Sequence, residues 1–443
     1  MIRILANTTY ARLFAAQVIA LLGTGLMTVA LGLLAYDLAG DRAGAVLGTA
    51  LAIKMIAYVG LAPLTNAIAE YLPRKVLLVG ADLIRAAVAL ALPFIDAVWQ
   101  VYALIFVLQA ASATFTPAFQ ALIPEILEDE GDYTRALSLS RLAYDLENLV
   151  SPALAGLLLL VMTYSGLFVG TAAGFLGSAL LVISTALPVR QAPAKRRSFF
   201  QRLTRGGRIY LATPRLRGLL ALNLSAAAAG AFVIVNTVVL VRSGYGGSEA
   251  DVAYALAAFG GGSMLAALTL PRLLERLSDR AVMTGAAALL VMLTLAHGIC
   301  MLTAGTLAWA LFLVAWAASG VLYSAILTPS GRLLRRSSHA EDRPALFAAQ
   351  FALSHACWLL TYPLAGWIGE AFGMAAALLL LGALAALGVW IALQVWPDAD
   401  PEEIEHLHPD LPDDHPHLVE HGRRRHRHVF VIDDEHEAWP THG

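Results

Sequence analysis

Cysteine is almost missing from this chain. Of its 443 residues only Cys300 and Cys357 are cysteines, and both sit inside long apolar runs. That excludes a disulfide framework and a cysteine-built zinc module. Charge is scarce too: 14% of residues are Asp, Glu, Lys or Arg, against 58% hydrophobic, which is too apolar for a soluble protein of this length. No Gly-rich phosphate loop ending in lysine is present, so ATP is not the direct driving force. Nothing points to an enzyme, to a cofactor or to nucleic-acid binding. A cleavable leader is also excluded by the first apolar run, Leu13 to Leu34, which is too long for a signal core and lacks a small-residue cleavage site.

What the chain has instead is apolar runs of about 20 residues, each long enough to cross a hydrocarbon core. Twelve spans are expected, at 13–36, 45–69, 76–95, 99–122, 136–163, 165–187, 216–241, 251–274, 281–303, 306–328, 345–369 and 374–396. Lys and Arg crowd into the connections after the second, sixth, eighth and tenth spans, so both termini are expected on the cytoplasmic side. The stretch 188–215 reads as a basic linker between two halves, 1–187 and 216–396, and 397–443 reads as a separate polar tail.

The polar stretch Arg141 to Gly156 stands out within its apolar run. On a helix, Arg141, Tyr144, Asp145, Glu147, Asn148 and Ser151 share an arc of about 160°, with leucine, valine and alanine on the other side. A second copy follows at Phe351 to Gly366; both end in Leu-Ala-Gly, and in register His355 falls on Asp145 and Cys357 on Glu147. Charges at membrane depth are costly unless they face a polar interior, so these groups read as a substrate or proton site. Asp145 and Glu147, two residues apart, diverge on one helix and cannot chelate together. Lys54 is a third intramembrane charge, placed to neutralise Asp145 or Glu147 or simply to reach water. Asp82 and Arg85, three apart, read as a structural pair bracing the Arg74–Lys75 loop.

Other pairings support two repeats. Thr116-Pro117 ends the fourth span and Thr328-Pro329 the tenth; Glu70-Tyr-Leu-Pro-Arg-Lys follows the second span and Glu275-Arg-Leu-Ser-Asp-Arg the eighth. Repeated halves with a central site are a transporter architecture. Over about 390 residues the chain resembles the major facilitator superfamily. The family's loop signature is kept at Arg74-Lys75, while Asn66 and Pro73 stand for its glycines, Glu70 for its Asp and Tyr71 for its Arg; its fifth-helix antiporter signature is matched in part by Ser151-Pro-Ala-Leu-Ala-Gly156. The resemblance implies an all-α membrane protein with twelve transmembrane helices in two pseudo-symmetric six-helix bundles. It favours proton antiport, and it implies that Glu70, Arg74, Lys75, Asp82, Arg85, Glu275 and Arg276 serve as gating or structural charges.

The tail is a different material. It carries nine of the twelve histidines: His406, His408, His415, His417, His421, His426, His428, His436 and His442. His-x-His pairs of this kind are compositional metal binders, suited to nickel, cobalt, copper or zinc. The segment from His428 to Asp433 is apolar enough to dock as a short strand or loop. With this tail the chain looks like the bacterial nickel and cobalt resistance exporters, which implies a multi-pass monomer in the inner membrane. Its partners would be protons, the bilayer and a metal-ion or small-molecule substrate. Export of a drug or siderophore with a metal-sensing tail is the alternative, and a transporter-fold receptor the third reading.

Overall fold

In a computed structural model of the chain, the residues described are all but 1, 70–72, 128, 130–131, 133–135, 137–138, 141–142, 144–146, 148–149, 152–153, 188–198, 340–341, 402, 409–411, 413–417, 420–423, 434, 437 and 441–443. Six helices build the first half: α1 Thr8–Ala39, α2 Ala43–Ala69, α3 Arg74–Ala91, α4 Val98–Ile126, α5 (helical at every described residue of 136–159) and α6 Tyr164–Ile183. A linker helix follows, α7 Phe199–Ala212. The second half comprises α8 Pro214–Val239, α9 Glu249–Leu273, α10 Asp279–Thr303, α11 Trp309–Leu327, the short α12 Ser330–Arg336, α13 Arg343–Phe372 and α14 Met374–Val395. Two strands close the chain, β1 Glu403–Leu407 and β2 Arg425–Val429.

The ends of these helices follow from local chemistry. Asn7 accepts from the Tyr10 backbone N–H at 3.1 Å and caps α1, and Ser248 and Asp251 form a reciprocal capping box on α9. Gly373, at φ 88°, makes the turn from α13 into α14 that a residue with a Cβ would resist. Among the described residues ten stretches are long and apolar enough to cross a membrane. The first, Thr8–Tyr58, runs through α1 and α2, so the ten hold eleven long helices, and α5 is the twelfth.

The packing repeats itself after six spans. In the first half α1 packs on α6, α2 on α4, and α3 on both α4 and α6. In the second half α8 packs on α14, α9 on α11, and α10 on both α11 and α14. Lipid-like surroundings supply no hydrophobic drive between helices, so close approach depends on small residues. The matched Leu-Ala-Gly ends serve this purpose. A Cβ on Gly366 of α13 would lie 2.3 Å from the Gly44 carbonyl oxygen of α2, and one on Gly156 of α5 would lie 2.8 Å from the Ala253 carbonyl oxygen of α9. Each repeat therefore places its glycine where one half crosses the other.

Polar seams join the halves at the end that carries Asp41 and Arg42. Arg42 pairs with Glu370 at 2.6 Å, Ser243 bonds Asp41, and Tyr36 and Ser243 share a hydrogen bond of 2.9 Å. Deeper along the seam Trp367 donates to Thr49 at 3.0 Å. The opposite end carries the linker, α12 and the tail. The linker expected at 188–215 thus contains a helix, α7, anchored to the second half by Arg205 to Asp342 (2.9 Å from Nη2) and by Tyr210 to Gln350.

Candidate functional site

Two polar constellations emerge, one inside the membrane domain and one in the tail. The first surrounds a small cavity of about 30 Å³, room for one or two waters, lined by Gln17, Thr24, Tyr58, Arg85, Ser112 and Glu147. Its polar lining comes from five helices of the first half, each contributing one or two polar residues to an otherwise apolar face. Glu147 is the described carboxylate of α5 in this cavity, and Lys54 acts on it electrostatically from α2. Lys54 also lies 5.9 Å from the centre of the Tyr58 ring, one helical turn on. Tyr58 then meets His355 of the second half, ring centres 5.8 Å apart.

His355 is oriented from its own helix: its Nδ1 lies 2.7 Å from the Phe351 carbonyl oxygen, and its ring lies 3.8 Å from that of Phe351. A carbonyl only accepts, so Nδ1 carries the proton and Nε2 is the basic nitrogen. Cys357, aligned with Glu147 in the repeat, is buried and is not among the residues that line this cavity. An aromatic wall continues along the second half, with Tyr323, Trp358 and Tyr362 at 6.3 and 4.9 Å and Phe259 behind Tyr323. Tyr362 also feels the charge of Glu147.

Asp82 and Arg85 do pair, and both are buried. Within the bundle Ser178 donates to Asp82 at 2.7 Å, and the Arg85 guanidinium sits between Phe115 and Phe175, 4.4 and 4.6 Å from their centres. Glu275 and Arg276 are exposed, and Arg74 and Lys75 are half-buried. Arg141, Tyr144, Asp145, Asn148 and Glu70 lie outside the described residues, as do His415, His417, His421 and His442.

The second constellation is built by the strands. β1 and β2 pair antiparallel with His406 opposite His426 and Ile404 opposite His428. A strand repeats every two residues, so His-x-His places both rings on one face. That face turns inward: Ile404 and His406 are buried on β1, His426 on β2, while Glu405–Arg425 and Glu403–Arg427 pair on the other face at 3.0 and 3.5 Å. His408 follows β1, and the apolar run Phe430 to Ile432 returns the chain so that His436 joins the group. One ring nitrogen from each of His406, His408, His428 and His436 lies within 4.8 Å of the others.

The tautomers are set from behind. His406 Nδ1 lies 2.9 Å from the Ile404 carbonyl oxygen, His428 Nδ1 2.8 Å from that of Val429, and His436 Nδ1 2.9 Å from Asp433 Oδ1. Each Nδ1 is therefore a donor, and in the neutral ring Nε2 is the nitrogen that keeps a lone pair. The Nε2 atoms of His406 and His436 face each other at 3.1 Å, close enough for an N–H···N hydrogen bond between the rings or for both to reach one cation. Imidazoles backed by carbonyl and carboxylate acceptors are the usual second shell of a metal ligand. Ligands about 2.0–2.1 Å from a tetrahedral ion sit ~3.3 Å apart, so pairs at the 4.8 Å limit need to close by roughly 1.5 Å. Burial first, then the neighbouring imidazoles, push His406 down to about 4, and His408 moves the same way for the same reasons. Both are neutral at pH 7 and open to a metal without losing a proton. Burial alone would raise Asp433, but the His436 hydrogen bond and charge and the backbone N–H groups of Glu435 and His436 outweigh it. The Asp433 carboxylate is held below its ordinary range.

Several residues of these sites escaped sequence reading, Gln17 and Thr24 of the cavity among them. Tyr58 had only its one-turn spacing from Lys54 as a signal. Asp433 sits three residues before His436. His339 carries no local signal at all, yet its Nε2 lies 3.3 Å from Asp433 Oδ2. His297, also passed over, is buried against Phe312 and Trp316.

Two pseudo-symmetric six-helix membrane bundles around a central polar seam define a secondary-transporter class. The sequence matches the Major Facilitator Superfamily over residues 13–298 and again over 218–431, and the chain belongs to that family. It is similar to the uncharacterized MFS-type transporter YfiS of Bacillus subtilis (strain 168), 24% identical over 332 residues, 73% of this chain and 78% of that one. In structure it is similar to the nucleoside transporter NupG, with a TM-score of 0.64, 14% identity, and 87% of this chain and 98% of that chain covered. A bacterial homolog of the human lysosomal transporter Spinster, solved inward-facing and unoccupied, gives a TM-score of 0.63 at 13% identity, covering 88% and 98%.

Proposed function

We propose that this transporter is a proton-coupled exporter of a divalent transition metal, nickel or cobalt, from the cytoplasm across a bacterial inner membrane. The observation that carries the reading is the convergence of His406, His408, His428 and His436, with the Nδ1 atoms of His406, His428 and His436 tied back. An all-imidazole set suits nickel, cobalt, copper or zinc and is poor for magnesium or calcium. In this reading the tail captures the ion on the cytoplasmic side, and Glu147, with Lys54 as its counter-charge, exchanges protons in the cavity. A carboxylate that neutralises as it changes exposure carries a proton without carrying net charge through the hydrocarbon. His355, Asp145, Asn148 and Tyr144 complete the site, with Arg141 as the partner of Asp145.

The test is growth of a metal-sensitive host on nickel, cobalt, zinc and copper, with cell metal content measured. Expression should raise tolerance to nickel or cobalt and lower the cell content of that metal. Unchanged content of all four would remove metal as cargo. A second reading, export of an organic compound, is favoured by the aromatic wall of Tyr323, Trp358 and Tyr362. In that case tolerance to the metals would be unchanged while the tail still bound one.

A further inference from the structure

The metal pocket is fastened to the membrane domain through the same residue that orients one of its ligands. Asp433 holds His436 Nδ1 with Oδ1 and meets His339 Nε2 with Oδ2, at 2.9 and 3.3 Å. Its backbone carbonyl accepts from Arg208 Nη2 of α7 at 2.7 Å. His339 sits between α12 and α13, and Arg208 lies on the linker helix. Around this point the tail is inlaid in the second half: Ile404, Phe430 and Ile432 join its apolar core, and Trp439 covers the buried Arg215 at 5.0 Å. Asp400 pairs with Arg336 at 3.0 Å and Arg215 at 3.4 Å.

Resting on the reading of the tail as a metal site, we infer that the four-imidazole pocket is a regulatory latch. A divalent transition ion held by His406, His408, His428 and His436 fixes Asp433, and with it the contacts that pin the tail to α7 and to the α12–α13 junction. The argument is mechanical. Drawing four nitrogens into a coordination sphere moves the β1–β2 hairpin and the His436 loop toward one another. His436 cannot move without Asp433, and Asp433 is shared with His339 and Arg208. Arg208 stands on α7, the helix of the linker between the halves, and His339 lies between α12 and α13, ahead of the helix that packs on α2 and carries His355. Restraint there acts on the elements through which one half moves against the other.

Coupling of this kind is reciprocal: if the ion tightens the docking, loss of the docking weakens the ion. Arg208 cannot ligate a metal, so an effect of Arg208→Ala on affinity has no direct route. The experiment uses the full-length protein in lipid nanodiscs with nickel ion alone as probe, by calorimetry and by amide hydrogen exchange. Wild type should show one high-affinity nickel site per chain and slow exchange in 199–212 and 336–345 when that site is loaded. Arg208→Ala and His339→Ala should each weaken nickel binding about 5-fold or more and lose the slowing, with the second variant guarding against an accidental effect of the first. Asp433→Asn should do the same, and His406→Ala should abolish the high-affinity site. Equal nickel affinity in wild type and both docking variants, with exchange in α7 indifferent to nickel, overturns the latch and leaves the metal site standing. Absence of nickel binding in wild type overturns the metal site and the latch together.

Discussion

Glu147 is held in a first-half cavity with Arg85 and Tyr58 as neighbours and Lys54 as its counter-charge. An amide in its place keeps the shape and hydrogen bonding but cannot titrate. Glu147→Gln should therefore reduce pH-gradient-driven flux in vesicles by at least about tenfold with the protein still inserted, and near-normal flux would remove it as a proton carrier. Asp82 makes a different prediction. Its side chain is 0% exposed and that of Arg85 5%, so removing one partner leaves a buried charge. Asp82→Ala should destabilise the detergent-solubilised protein by about 3–5 kcal/mol, and pairing it with Arg85→Met should recover much of that, both read by thermal unfolding. At this scale the sequence was informative wherever a charge interrupted an apolar run, as at Lys54, Asp82, Arg85 and Glu147. It was silent where chemistry depends on residues far apart in the chain: His339 and Asp433 are brought together by the docking of the tail, and no spacing rule reaches across that distance.

Among elements, the repeat carries a steric meaning beside the chemical one expected of it. The match of Arg141–Gly156 with Phe351–Gly366 suggests equivalent ligands, and its shared glycines mark the helix crossings between halves. Side-chain function can diverge between repeats, whereas backbone proximity cannot without separating the helices. Gly366→Val should thus abolish transport or shift the assembly thermally, because its Cβ would meet the Gly44 carbonyl at 2.3 Å; Gly285→Ala, where nothing lies within 4 Å, is the neutral control. The tail hairpin gives a pH prediction. Burial lowers His406 to about 4, below its ordinary 6.5, so its contribution to folding is fully present above 6.5 and is lost as pH falls from there through 4. Without metal, amide exchange of 403–407 and 425–429 should accelerate over that window. Exchange that is flat from neutral pH to 4 would place the imidazoles outside a folded core. The short apolar run after His428 made docking foreseeable; the pairing of β1 with β2 across about 20 residues did not follow from it, since His-x-His at 415/417 competes as a strand partner on spacing alone.

For the whole molecule, twelve spans and two halves were legible because hydrophobic length and the absence of charge are set by the bilayer and not by tertiary detail. The relation between the transporter and its tail was not, because it depends on which surface of the second half the tail covers. That surface includes Arg215, 1% exposed beneath Asp400 and Trp439, and the apolar patch under Phe430 and Ile432. Removal of residues 401–443 takes away Trp439, Phe430 and Ile432. It leaves Asp398 on Arg280 and Asp400 on Arg336 and Arg215, and so keeps the charge partners of those guanidinium groups. The truncated protein should insert and transport, because Glu147, Lys54, Tyr58 and His355 all lie before Trp396. Exposure of a few apolar side chains, each about 1.5–3 kcal/mol when buried in full, should lower its thermal stability moderately. If the latch operates, metal in the assay should no longer change either its flux of a fixed cargo or exchange in α7. Complete loss of transport in a truncated protein present at normal level would show instead that the tail belongs to the transport cycle itself.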